Sequence, residues 1–285
     1  MPAALGNVVT VARETVSRWS EDKASTLAAA LAYYAVFSLA PLLLIAVALA
    51  GLVFGERAAE GQLYSQLAGV IGDGSARAVQ RLVANLHQQK TGGIVATVVG
   101  VATLLFGASG LFVQLQGSMN TIWKTSPPPA EGIRGFLRSR LVSFSMVMAM
   151  GLLLLLSLML SAVGGYVSAY LPQGVGLGRA LDVTVGLALA TLLFAMIFKV
   201  LPDTTVSWRD VWFGALVTAV LFTLGKIGIG LYLGRASVAS SYGAAGSLVI
   251  LLLWIYYSAL ILYFGAEFTR VYSTRHGSRR LYAGD

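Results

Sequence analysis

Residues 246–268 read GSLVILLLWIYYSALILYFGAEF, and the only formal charge among them is Glu267. The run exceeds the roughly 20 apolar residues with which an α-helix crosses a ~30 Å hydrocarbon core. Five more runs of the same kind lie upstream, from Thr26 to Phe54, Gly93 to Val113, Leu141 to Leu171, Val183 to Leu201 and Val211 to Leu233. A soluble chain has no means of hiding six helices that are apolar all round. The sequence therefore reads as an all-α membrane protein. It is expected to form a six-transmembrane-helix bundle over 26–272, with an N-terminal amphipathic helix over 1–25 and a basic cytoplasmic tail over 273–285.

Composition agrees with this reading. Hydrophobic residues make up 57% of the chain and charged residues 11%, far from the roughly 25% charge of soluble domains, so one membrane domain is expected and no separate soluble one. The absence of cysteine excludes disulfides, thiolate nucleophiles and Cys-based metal sites. His87 and His276 lie far apart with no H-x-x-x-H or H-x-H partner, so no zinc site and no cofactor is expected. The net charge of +8 follows the bias of Lys and Arg toward cytoplasmic loops. With the N-terminus inside, thirteen basic residues fall on the inner side and seven, among them Arg57, Arg77, Arg179 and Lys226, on the outer side. Six crossings then return the C-terminus to the inside.

The first 25 residues mix acidic and basic groups and lack the apolar core of a signal peptide. Leu5, Val8, Val9, Ala12, Val16 and Trp19 share one helical face, which describes an interfacial amphipathic helix. Two readings stand: a helix resting on lipid, and a flap over the mouth of the bundle. Between the first two crossings, residues 55–92 resolve into an outer-face helical hairpin, with Ala59, Leu63 and Leu67 on one arm and Val79, Leu82, Val83 and Leu86 on the other. Gly72-Asp73-Gly74 supplies the turn between them.

Polar residues inside the apolar runs are the candidate site. On the first helix Thr26, Tyr34, Ser38 and Pro41 align, and Pro41 frees a backbone carbonyl near the Ser38 hydroxyl. On the second, Gln116, Asn120 and Lys124 are spaced i, i+4, i+8 and form a stripe, before Pro127-Pro128-Pro129 ends the helix. Polar side chains at membrane depth face a bundle interior or a wet cavity. Ser207-x-x-Asp210 reads as a capping box opening the fifth helix, with Trp208 and Trp212 at the interface. Within that helix Gly225, Gly228, Gly230 and Gly234 surround Lys226, so a neighbouring backbone can approach closely. Lys226 either snorkels to the outer interface or points into a cavity. The sixth helix carries Ser247, Trp254, Ser258 and Gly265 on one stripe and Tyr256, Tyr263, Glu267 and Arg270 on another. Glu267 and Arg270 are i, i+3 partners and are expected to form a local ion pair. The candidate polar-cavity residues are thus Tyr34, Ser38, Pro41, Gln116, Asn120, Lys124, Lys226, Trp254 and Glu267.

Several stretches, in this order and spacing, resemble the YihY/BrkB family of bacterial integral membrane proteins. They are Ala28 to Tyr34 leading into Ser38 to Leu42, Ser118 to Trp123, Gly214-Ala215 through Gly225-Lys226, Leu231-Tyr232, Tyr242-Gly243, Trp254 to Tyr256 and Gly265 to Glu267. The match runs from about residue 20 to 272. The resemblance implies a six-helix protein of the bacterial inner membrane with both termini cytoplasmic. Members have carried labels from tRNA-processing ribonuclease to serum-resistance factor and transporter or lipid-handling protein, so it implies no single biochemistry.

A ribonuclease needs a metal cluster or an acid–base pair within reach of RNA. The inner carboxylates form no paired motif beyond the adjacent Glu21-Asp22, and no aromatic-basic stretch for single strands is present. The chain is therefore not expected to be an enzyme, nor to bind nucleic acid. No G-x-x-x-x-G-K-[ST] loop occurs, so transport would draw on a gradient or a partner. The features above fit translocation of a lipid or small solute, the alternative being a non-transporting envelope-assembly factor or scaffold. Membrane lipids, anionic headgroups at the inner face, and a second copy of the chain are the expected partners. Reporter fusions at the C-terminus and at Gly74 should report opposite compartments; the same compartment for both would refute six crossings.

Overall fold

The computed structural model describes residues 2–38, 110–125, 177–235 and 246–277, with isolated positions 61, 64, 76, 77, 80 and 145. All regular structure among the described residues is helical. The helices are α1 (Pro2–Glu21), α2 (Ala24–Ser38), α3 (residues 110–122), α4 (Leu177–Val200), α5 (Trp208–Arg235) and α6 (Gly246–Arg275). Three are long and apolar enough to cross a membrane, over Val183–Val200, Trp208–Ile229 and Leu248–Arg275. Pro41, most of the 55–92 hairpin, Pro127 to Pro129, most of the 141–171 run and the tail beyond residue 277 lie outside the described residues.

The bundle is organised around α5, which packs against α4 on one side and α6 on the other, while α1 packs on α6. Their shared core holds Phe194 and Phe198 from α4, Val211, Ala215 and Ala219 from α5, and Leu262, Tyr263 and Ala266 from α6. From α3 it takes Phe112, Leu115, Met119 and Ile122. The sequence expects the last apolar run to end at Phe268, yet α6 continues to Arg275. Its final turns stay helical because Thr269, Val271 and Ser273 are buried against neighbours, so packing carries the helix past the end of its apolar pattern.

α1 uses two faces. Val11, Thr15 and Asp22, with Trp19 partly buried, turn inward. Val9, Ala12 and Val16, members of the apolar stripe expected from the sequence, turn outward. Trp19, of the same expected stripe, turns inward, so the stripe is divided between the protein and its surroundings, and Arg13 and Ser17 share the exposed side.

The α5–α6 contact depends on glycine and threonine in reciprocal positions. A Cβ on Gly214 would overlap the Thr269 side chain, and one on Gly265 would overlap Thr218. Each threonine folds its hydroxyl back on its own helix: Thr218 Oγ1 donates to Gly214 O at 2.7 Å, and Thr269 Oγ1 to Gly265 O at 2.6 Å. Both hydroxyls are thereby satisfied within the helix, and the threonine side chains, hydroxyl oxygen foremost, fill the glycine notches of the partner. Further along, Gly225 is pressed by Tyr257 and Ile261, whereas Gly228 faces open space. The close approach expected over residues 225–234 is therefore made at Gly225 and, earlier in the helix, at Gly214.

Gly265→Val should destabilise the purified protein by about 1–3 kcal/mol through overpacking, while Gly228→Val should leave its thermal midpoint in detergent almost unchanged. The exchange Gly265→Thr with Thr218→Gly should recover part of the loss. Equal midpoints for the Gly265 and Gly228 variants would contradict this account of the α5–α6 contact.

Candidate functional site

Polar residues collect at the end of the bundle where α1 turns into α2, α3 and α4 finish, α5 begins and α6 finishes. Two lysines shape this end. Lys23 and Lys124 both adopt positive φ, each at 51°, a conformation disfavoured for residues with a Cβ. Lys23 lets α1 stop and α2 start at once, with Lys23 N donating to Ser20 O and Thr26 N to Lys23 O. Lys124 ends α3 in a Schellman motif: Lys124 N donates to Thr121 O and Thr125 N to Asn120 O.

These two turns bring Asp22 and Lys124 together. The Asp22 side chain is only 3% exposed, and its Oδ1 accepts from Lys124 Nζ. Its Oδ2 lies 3.3 Å from Arg270 Nη1. The same Nη1 donates to the α3 carbonyl of Ile122 at 2.7 Å and stands 3.6 Å from Glu267 Oε2. The ion pair expected within α6 is therefore one corner of a cluster joining the α1–α2 turn, α3 and α6. Glu267 is fully buried, and neither carboxylate oxygen has a hydrogen-bond partner. One turn away, the Tyr263 hydroxyl is buried beside Ser118 of α3.

A second clasp lies one turn back on α3. Asn120 donates from Nδ2 to Asp203 Oδ2 at 2.8 Å and accepts from the Asp203 backbone N–H at 2.9 Å. Gln116 Nε2 reaches both Asp203 oxygens, at 3.3 and 3.4 Å. Asp203 belongs to the α4–α5 connection, whose other side is held by Lys199 Nζ donating to Val206 O. That ammonium also lies 5.5 Å over the Trp208 ring. α5 then starts with Ser207 O accepting from Val211 N–H. Asp210 is buried, its carboxylate filling the space where a Cβ on Gly277 would stand.

Of the residues singled out from the sequence, Gln116 and Asn120 meet at Asp203, and Lys124 and Glu267 meet around Asp22 and Arg270. Ser38 is buried on α2. Tyr34 is 42% exposed, its ring against Gly110 at the start of α3. Trp254 sits further along α6, edge-on to Phe222, with its Nε1 buried and unpartnered. Lys226 stands on the exposed side of α5 between Leu224 and Ile227 and joins neither clasp. Pro41 lies outside the described residues.

The residues missed were the acidic partners, Asp22 and Asp203, and the reach of Arg270. Asp22 is visible in the sequence only beside Glu21, and nothing local separates the two; in the fold Glu21 pairs with Arg18 at the surface. A groove of about 270 Å³ between α1, α5 and α6 is lined by Trp19, Leu221, Tyr257, Leu260, Ile261 and Phe264. It is apolar and holds none of this machinery.

A family model described as virulence factor BrkB matches residues 15–284. A UPF0761 membrane protein of Ralstonia nicotianae is 34% identical over 259 residues, 89% of this chain and 56% of that protein. One from Verminephrobacter eiseniae is 30% identical over 265 residues, covering 91% and 61%. A shorter relative from Mannheimia succiniciproducens is 29% identical over 263 residues, 89% of this chain and 86% of its own length. The chain thus spans a little over half the length of the first two. No solved structure gives a significant match.

Arg270→Met should cost about 3–5 kcal/mol, because it strands buried carboxylates and the Ile122 carbonyl. Arg275→Met, five residues on, should cost no more than about 1 kcal/mol, since its pair with Glu14 is at the surface. Thermal midpoints in one detergent compare the two, and similar losses would show that the buried cluster is not special.

Proposed function

The chain belongs to the BrkB family of membrane proteins, and on that premise we propose that it translocates a lipid or small solute across the bacterial inner membrane without catalysing a reaction. The observation that carries this reading is the set of buried polar groups along α6. The Trp254 indole N–H, on the side that meets Phe222 of α5, and the Glu267 carboxylate, on the stripe with Tyr263, are both buried without hydrogen-bond partners. Unsatisfied polar groups at membrane depth cost free energy and persist where they line a path or hold a ligand. Trp254 and Glu267 are thirteen residues apart, about 20 Å of helix, so such groups extend along much of a span.

The topology goes with the same reading. α3 and α4 both finish at the polar end, and the sequence between them includes the 141–171 run, which is long enough to cross a bilayer. Arg13, Lys23, Arg209 and Arg275 are exposed, and Lys124 is half-exposed. We read this basic end as the cytoplasmic face, by the bias of Lys and Arg toward that side, where it would meet anionic headgroups. Both termini are then cytoplasmic. Assembly as a homo-oligomer belongs to the same proposal.

A second reading, a non-transporting scaffold, is favoured by the clasps. Gln116, Asn120 and Lys124, which look like cavity lining in the sequence, are engaged by Asp203 and Asp22. Liposomes containing the purified full chain distinguish the readings through lipid scrambling and release of entrapped solutes. Transfer should exceed that of protein-free liposomes, and Trp254→Phe should slow it by about tenfold, equivalent to roughly 1.4 kcal/mol on the barrier. Lys226→Met should leave it unchanged. Transfer no faster than in empty liposomes would assign the chain to the scaffold reading.

A further inference from the structure

The cluster at the polar end does not balance its charges where they are buried. Asp22 is 3% exposed and Glu267 not exposed at all, and the one buried cation between them is Arg270, at 15%. Lys124 touches Asp22, but its side chain is 51% exposed and its charge is shared with water. The buried groups alone therefore carry two formal negative charges against one positive. An excess charge held out of water is expensive.

The hydrogen-bond inventory is short at the same place. Asp22 receives Lys124 and Arg270, and Ile122 O receives Arg270. Glu267 receives no donor, and an ionised carboxylate can only accept. Its Oε2 and Asp22 Oδ2 converge on one nitrogen, Arg270 Nη1, at 3.6 and 3.3 Å. The charged groups that face Glu267 are Asp22 from the α1–α2 turn, Lys124 from the end of α3 and Arg270 from α6 itself.

We propose that Asp22 and Glu267 form a binding site for one proton, shared between their carboxyl groups. The bound proton supplies the donor that Glu267 lacks and cancels the excess negative charge, leaving Arg270 and one carboxylate as a neutral pair. It comes from water at the polar end and reaches the pair past Lys124. The site rests on this geometry. Its use to couple a proton gradient to transport rests on the translocation reading above.

Infrared spectroscopy of the purified full chain in lipid at neutral pH tests the site without any transport assay. A carbonyl stretch from a protonated carboxyl, shifted on exchange into deuterated water, is expected in the wild type. Glu267→Gln should abolish it by removing the carboxyl. Asp22→Asn should also abolish it, by removing the excess charge, so that Glu267 ionises against Arg270. Lys124→Met should retain it. Absence of the band in the wild type, or its survival in Asp22→Asn, overturns the proposal. If Glu267→Gln does not fold, the Asp22→Asn spectrum decides alone. Because the readout is the proton itself, it stands apart from any failure to observe translocation.

Discussion

One guanidinium nitrogen holds the polar end together. Arg270 Nη1 meets Asp22 from the first two helices, the last turn of α3 through Ile122 O, and Glu267 on its own helix. Each contact answers a different need: a buried carboxylate wants a counter-ion, and a helix end leaves carbonyls without partners. An ion pair of this kind contributes little net stability compared with a well-packed apolar substitute. What it does provide is register. Segments 148 and 248 residues apart in sequence are fixed against α6, in a protein whose lipid-facing helices have no hydrophobic force to sort one arrangement from another.

The stripe on α3 follows the same logic. Three residues spaced by four, Gln116, Asn120 and Lys124, face two acidic residues contributed by two different turns. Lys124 reaches Asp22 from a left-handed backbone conformation that the Schellman turn imposes. The cost of that conformation, on the order of 1 kcal/mol, is offset where the ammonium finds a buried carboxylate. The polar end is thus a set of helix terminations joined by one another's side chains.

The membrane class was legible because it depends on length and composition, which survive in one dimension. The Gln116/Asn120/Lys124 stripe was legible for a similar reason, since helical periodicity is local. The partners were not. Asp22 and Glu21 are adjacent carboxylates, and only the turn at Lys23 directs the first inward and leaves the second outside. Asp203 follows Pro202 in a connection without regular structure, so no periodicity points to it. Arg270 read as the i+3 mate of Glu267, a contact that exists at 3.6 Å but is the weakest of its three. The apolar residues of α1 divide, with Trp19 against the core and Val9, Ala12 and Val16 outside. Whether each would face protein or lipid is a question of what surrounds the helix, which its own residues do not encode.

The reciprocal notches between α5 and α6 limit how this protein can move. Gly214 receives Thr269 and Gly265 receives Thr218, in antiparallel sense, so a slide or roll of one helix drives a threonine into backbone. The two helices therefore behave as one lever. Any rearrangement that keeps these notches filled must carry the two helices together, and α5 is joined to α4 through the non-helical link at residues 201–207. That link is where Asn120 grips Asp203 and Lys199 grips Val206, so the α3 stripe ties the paired helices to the rest of the bundle at that point.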